Sequence, residues 1–386
     1  MNAVFDKPSV LQRVKPVFSG FDGALLLGVA LLAFAGMLNM YSVGFDHGTR
    51  FVDHGRNLLL ACCILFVVAQ VPPQRLMALA VPLYTVGVAL LVATAVMGIT
   101  KKGATRWLDV GVTVIQPSEM LKVATPLMLA WWFQRREGQT TLLDFLGAFA
   151  ILAAPVGLIA KQPDLGTAIL VASTGIFVIF FAGLSWRLIL PVVAIGAIGI
   201  AAIVLSGDRI CQPDVKWPLL RDYQKTRVCT LLDPTKDPLG KGFHTIQGMI
   251  AIGSGGIEGK GFMKGTQTHL EFIPERTTDF AFAGYAEEFG LLGCVALILG
   301  FTFLIFRGLM IAADAPSLFS RLLAGAVTLS FFTYAFVNMG MVSGILPVVG
   351  VPLPFVSYGG TAMVTTVGLG LGMLMSIARS RRLKQR

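Results

Sequence analysis

The chain has 386 residues, 55% of them apolar and only 13% charged, with a formal net charge of +10. A soluble globular chain carries roughly a quarter charged residues, so this one lacks the polar groups to cover a water-facing surface, and its 27 Phe exclude a solvated coil. An all-α polytopic membrane protein remains. Its positive charge belongs to loops or meets an anionic substrate. Nucleic acid is excluded as a partner because no basic run is interleaved with aromatics. Five Cys and four His form no CxxC, HExxH or other metal-ligand spacing, so no metal site is expected.

A spanning helix needs about 20 mostly apolar residues. Residues 23–44 form the first such stretch. Lys7, Arg13 and Lys15 before it, with Ala33-Phe34-Ala35 inside, resemble a secretory signal. The apolar run continues to Met40, however, too far for a short signal core, and it is read as a retained span. Further spans are predicted at 57–71, 77–100, 117–133, 145–160, 165–186, 188–207 and 280–306. Residues 322–378 hold no Asp, Glu, Lys, Arg or His and are broken at 344–354, which gives spans nine and ten. Ten spans place both termini on one side. That side would carry fourteen Lys/Arg, including Arg75, Arg135, Arg136, Arg187 and Arg307, against six (Arg50, Arg56, Lys101, Lys102, Arg106 and Lys161) in the short loops opposite. The positive-inside rule then makes both termini cytoplasmic. The chain reads as one transmembrane domain, 1–386, with a long outer loop at 206–278. Within that loop, 243–252 has helical apolar spacing and reads as a surface helix. The glycine-rich run 253–261 lacks the spacing of a phosphate loop and reads as a flexible hinge.

Ionisable residues inside a span are expensive and are functional candidates by default. Glu119 and Lys122 share one face of span four at i, i+3, either as a structural ion pair or as the wall of a polar cavity. Gln116-Pro117 opens span four, Pro163-Asp164 opens span six, and Pro352-Leu353-Pro354 precedes Ser357 at span ten. Three helix N-termini on one face form a ready anion site, unless the prolines merely start helices. Asp279 stands where the long loop enters span eight, as a general base or as a helix cap, with Glu287 and Glu288 about two turns deeper. Trp107 is an interfacial anchor or a substrate-stacking residue.

Arg106-Trp107-Leu108-Asp109, Gln116-Pro117-Ser118-Glu119 with Lys122, Gln162-Pro163-Asp164-Leu165-Gly166-Thr167, Pro274 through Phe280, and Val356-Ser357-Tyr358-Gly359-Gly360 occur in this order. Together they resemble the SEDS family of cell-wall proteins from about Phe21 to the C-terminus. The run 344–354 and the short N-terminal tail are more similar to the elongation branch than to the division branch. Thr277 stands where many members of the family have His, which weakens any scheme that needs an imidazole beside Asp279.

The resemblance implies a ten-span peptidoglycan glycosyltransferase of the inner membrane. It would polymerise lipid II at the periplasmic face during elongation and cell-shape maintenance, with a growing glycan on undecaprenyl pyrophosphate as donor. Asp279 would be the base on the acceptor hydroxyl. Glu119, Lys122 and Asp164 match the family's polar cavity, with Arg106, Trp107, Gln116 and Ser357 as further substrate-binding residues. A divalent cation on the pyrophosphate is compatible with this chemistry, although no dedicated site is visible. The implied partners are a class B penicillin-binding protein transpeptidase and other elongation-complex membrane proteins. The rival readings are a lipid II flippase and a non-catalytic scaffold. The discriminator is whether the polar residues cross both leaflets or cluster toward the outer side.

Cys62, Cys63 and Cys294 fall in spans and read as small apolar residues. Cys211 and Cys229 fall in the long outer loop, where an oxidising periplasm would favour a disulfide between them; the alternative is two free thiols.

Overall fold

In the computed structural model, residues 20–384 are described apart from 47, 102, 103, 110, 112, 113, 213, 214, 216, 218–221, 237, 239, 241, 271 and 274. Lys7, Arg13, Lys15, Lys102, Pro213, Pro218, Arg221, Glu271, Pro274 and Arg386 thus lie outside the described residues. The first seven spans are α1 Gly23–Val43, α2 Arg50–Gln70, α3 Pro73–Met97, α4 Pro117–Gln134, α5 Leu142–Lys161, α6 Leu165–Phe181 and α7 Trp186–Leu205. Two helices, α8 Asp222–Leu232 and α9 Phe243–Ser254, follow in the long segment. The last three spans are α10 Ala281–Ala313, α11 Leu318–Val342 and α12 Gly360–Arg382. Eight of these ten are long and apolar enough to cross a membrane. The other two, α4 and α6, have 18 and 17 residues. The result is an all-α polytopic membrane fold.

The ends of the helices show how they alternate. At one face Arg307 and Arg382 both reach Asp22, and the backbone N–H of Phe319 donates to Gln134 Oε1 at 2.7 Å. At the other face Arg276 pairs with Asp46, and Tyr358 N–H donates to the Thr277 carbonyl at 2.8 Å. Helices α11 and α12 are the most buried, and α7 contributes no buried residue.

Three elements differ from expectation. Helix α2 starts at Arg50, two turns earlier than the hydropathy boundary. Its charges are accommodated locally: Asp53 and Arg56 pair at 3.1 Å across one turn, and His54 is fully buried with Nε2 2.9 Å from the Phe355 carbonyl. Between α3 and α4 the chain forms a small antiparallel sheet, β1 Ile99–Lys101, β2 Ala104–Asp109 and β3 Val114–Ile115, in the order β1-β2-β3. Its β-branched Ile99, Thr100, Thr105, Val114 and Ile115 suit a pleated surface.

The third difference is the glycine-rich run, which is no hinge. Helix α10 breaks at Gly290 (φ +63), which strips intrahelical partners from the backbone around it. The run supplies them. Lys260 and Gly261 N–H donate to the carbonyls of Glu287 and Glu288, and Leu291 and Leu292 N–H donate to the carbonyls of Gly256 and Ile257, all at 2.9–3.1 Å. A Cβ on Gly259 would lie 2.1 Å from the Glu288 carbonyl oxygen, so only glycine permits this approach. Backbone off the helical ladder is tolerated at membrane depth where protein re-satisfies it. Glu287, also fully buried, accepts from Lys260 Nζ at 2.6 Å and from the Gln267 and Thr268 N–H groups. Glu287 and Glu288 thus tie the long segment to α10.

Helix α9 is a surface helix only on one side. Its Thr245, Gly248 and Ala251 are buried, and a Cβ on Gly248 would meet the Phe280 ring at 3.1 Å. Cys211 and Cys229 are joined by a disulfide, with Cα atoms 5.6 Å apart. It ties the exit of α7 to α8, a stretch also held by Lys225 Nζ on the carbonyls of Gln212 and Val215. In the chain-entropy model a ring of this size stabilises by about 3 kcal/mol. Thiol labelling of the denatured, unreduced chain should therefore give three reactive thiols, Cys62, Cys63 and Cys294; five would refute the bridge.

Asp22 closes the opposite end. It caps α1 through the Leu25 N–H at 2.9 Å and takes Arg307 at 2.5 Å and Arg382 at 2.6 Å while buried itself. Burial alone would raise its carboxyl pKa. The Arg307 bond, the Leu25 N–H and the charges of Arg307 and Arg382 outweigh burial and hold it below the usual value of 3.8. A depressed carboxyl stabilises fully above its unfolded pKa and loses that contribution as pH falls through the folded value. Asp22→Asn should destabilise by about 1–3 kcal/mol at pH 7. The gap between the variant and the parent in thermal unfolding should narrow below pH 3.8; a pH-independent gap would show that the charge is not what matters.

Candidate active site

The site is built around the loop between α11 and α12. Phe355 sits in this loop at φ +69, a conformation that a bulky side chain adopts only when its surroundings hold it. His54 takes its carbonyl. Gly36 of α1 makes room for that carbonyl, since a Cβ there would lie 2.0 Å from the oxygen. Ser357 Oγ accepts the Leu353 N–H at 2.9 Å, and Ser357 is itself buried. Its hydroxyl therefore closes a loop turn.

Asp279 lies on this loop. Gly350, at φ +74, carries no side chain, and a Cβ there would sit 3.3 Å from Asp279 Oδ2. Fully buried Asn338 of α11 locks the two together. Its Nδ2 donates to the Asp279 carbonyl at 2.9 Å and to the Val351 carbonyl at 2.7 Å. Phe280 holds the N-cap position of α10 and makes no side-chain capping bond, and Asp279 precedes it by one residue.

On the other side of the loop stands α6. A Cβ on Gly166 would be 2.8 Å from the Val349 carbonyl. Asp164 caps α6 through the Thr167 N–H at 3.3 Å and accepts from Gln116 Nε2 at 3.1 Å. Arg106 approaches Asp164 at 3.8 Å and donates to the carbonyls of Gln162 and Pro163. The three helix N-termini do share one face. That of α6 is already occupied by a carboxylate, which leaves α4 and α12, neither with a side-chain cap, as places for an anion.

One turn into α4, Lys122 Nζ lies 2.5 Å from Glu119 Oε1, 5.6 Å from the Tyr334 ring centre, and nearly out of solvent. Thr365 of α12 donates to Glu119 Oε2 at 3.3 Å. Lys122 is therefore held by Glu119 and does not point unpaired at the loop. A cavity of about 450 Å³ runs along α3, α4 and α12. Trp107, Gln116 and Glu119 line it beside apolar Leu83, Met120 and Leu369. Trp107, on β2, borders this groove. Among the described residues no three His, Cys, Asp or Glu side chains converge to hold a metal ion.

The sequence model of the FtsW/RodA/SpoVE cell cycle proteins matches residues 21–383. The chain belongs to this family. This SEDS chain is 46% identical over 359 residues to the peptidoglycan glycosyltransferase MrdB of Escherichia coli K12, covering 93% of each chain. It is 30% identical to the peptidoglycan glycosyltransferase RodA of Treponema pallidum, covering 95% of this chain and 99% of that one. Among solved structures it superposes on a chain of a peptidoglycan synthase complex with a TM-score of 0.76 at 30% identity, covering 94% of this chain and 99% of that one. It also superposes on the rod shape determining protein RodA of Thermus thermophilus with a TM-score of 0.68 at 27% identity, covering 94% and 98%.

On this SEDS scaffold three residues matter that the sequence reading passed over. They are Asn338, which joins Asp279 to the loop; His54, which holds Phe355; and Tyr334, which faces Lys122. The rule that intramembrane polar groups are functional, applied to amides as well as charges, would have found Asn338, the one Asn or Gln in the uncharged stretch 322–378.

Proposed function

We propose that this chain is a peptidoglycan glycosyltransferase that polymerises lipid II into glycan strands at the periplasmic face of the inner membrane, in cell elongation and shape maintenance. It acts as one transmembrane domain, 1–386, with 206–278 periplasmic and both termini cytoplasmic. It works with a class B penicillin-binding protein and other membrane proteins of the elongation complex. The observation that carries this reading is the seat of Asp279: its carboxylate lies against bare Gly350 backbone, and its backbone carbonyl is held by Asn338.

In this reading Asp279 takes the proton of the 4-hydroxyl on the GlcNAc of lipid II. The freed oxygen attacks the anomeric carbon of the donor sugar from the face opposite the pyrophosphate, and the bond to undecaprenyl pyrophosphate breaks with inversion. The open N-termini of α4 and α12 stabilise the leaving anion. The groove beside Trp107 accepts the polyprenyl chain. Gln116, Arg106 and Asp164 set the edge of the polar site, and the Glu119–Lys122 pair holds its floor.

The flippase reading needs a polar path through both leaflets. The cavity beside Lys122, Thr174 and Tyr334 in the bundle has a volume of only about 30 Å³, far too small for a lipid-linked disaccharide. The test is purified chain with purified lipid II, with and without a class B penicillin-binding protein. Glycan strands and released undecaprenyl pyrophosphate are expected. Translocation of lipid II in liposomes with no polymer under either condition would establish the flippase instead.

A further inference from the structure

A second cavity, of about 600 Å³, lies in the extramembrane segment. One wall is α8, with Thr226, Arg227, Thr230 and Leu231; His244 and Thr245 of α9 form another, and Leu346, Pro347 and Val348 the third. Its volume is that of a small-ligand site. Two covalent and packing features hold its walls. The Cys211–Cys229 bridge anchors α8, and α9 docks through Gly248 on Phe280.

The cavity adjoins the carboxylate. The wall residue Val348 is two positions from Gly350, on which Asp279 rests, so roughly 7 Å of extended chain separates them. His244 stacks on Phe280, the neighbour of Asp279, with ring centres 5.9 Å apart. The lining is mixed. Three threonines and an arginine line it together with three aliphatic residues and a proline, and the hydroxyl of one threonine, Thr226, donates to the Asp222 carbonyl. This suits a pyranose, whose ring hydroxyls and acetamido group need hydrogen bonds while its C–H face packs on apolar surface. A guanidinium adds recognition of a carboxylate on the peptide that the sugar carries. A polyprenyl chain fits it poorly and is served by the apolar groove beside Trp107.

We propose that this cavity is a saccharide subsite for the growing strand, which holds N-acetylated sugars that carry an acidic stem peptide, one or two units from the reacting bond. The proposal rests on the transferase reading for its ligand. By retaining the strand between additions, the subsite governs strand length, whereas Asp279 governs bond formation.

The test uses the full-length protein in detergent with two readouts. The first is binding of a soluble GlcNAc–MurNAc-peptide tetrasaccharide to Asp279→Asn, followed by saturation-transfer NMR. Adding Thr230→Trp, which fills the cavity, or Arg227→Gln, which removes the charge without bulk, should weaken binding at least tenfold. The second adds the same two changes to the otherwise unaltered chain. The first coupling of labelled lipid II should stay within twofold of the parent while mean strand length falls at least threefold. Undiminished fragment binding in both variants, or unchanged strand length, overturns the subsite. If the parent chain makes no polymer at all, the first readout still decides: lost binding keeps the subsite and removes only the transferase reading, and retained binding removes the subsite.

Discussion

Asp279→Asn should abolish lipid II polymerisation while leaving the protein folded and in the membrane. The substitution is nearly isosteric, and the contacts that place residue 279 come largely from the backbone. Asn338 holds its carbonyl, and Gly350 offers no side chain to clash. The amide cannot accept the hydroxyl proton. General base catalysis contributes about 10²–10⁴-fold, so turnover of the purified variant should fall by at least that range. The thermal unfolding midpoint should stay with the parent. A large drop in stability would point to a structural role, such as capping α10. Turnover near that of the parent would remove Asp279 from the chemistry.

Lys122→Ala should be the most damaging change inside the bundle. Lys122 and Glu119 are 2.5 Å apart and both are close to 10% exposed at the side chain. Deleting the ammonium strands a carboxylate whose remaining neighbour is the Thr365 hydroxyl. Removing one member of a desolvated pair costs about 3–5 kcal/mol. Lys122→Arg keeps the charge and should cost less, limited by the fit of a larger head beside Tyr334. A double-mutant cycle with Glu119→Gln, read by thermal unfolding and by polymerisation rate, measures the coupling. Strong non-additivity is expected in both readouts. Additive losses would mean that the two side chains act separately and that the short contact carries no energy.

What the sequence determined by itself is what depends on local chemistry. The desolvation of charge makes long uncharged stretches membrane spans, so ten spans and the long segment between the seventh and eighth were legible. The i, i+3 spacing of Glu119 and Lys122 placed them on one helix face and made their pairing readable. Pro163-Asp164 marked a helix start, and Asp164 caps it. The motifs named the family because they occur together and in order.

Tertiary structure decided everything that requires two distant segments to meet. That Asp279 rests on the bare backbone of Gly350, about seventy residues away in sequence, is a fact of packing alone. The run 253–261 looked like a hinge because glycine is permissive in isolation. It is fixed in place because the break at Gly290 leaves backbone groups that only a chain without side chains can approach. His54 and Asn338 were unremarked because their partners are the carbonyls of Phe355, Asp279 and Val351, and a carbonyl carries no mark in a sequence. Hydropathy and spacing report the free energy of single residues and turns of helix; the site is made by backbone groups that become neighbours only after the helices pack.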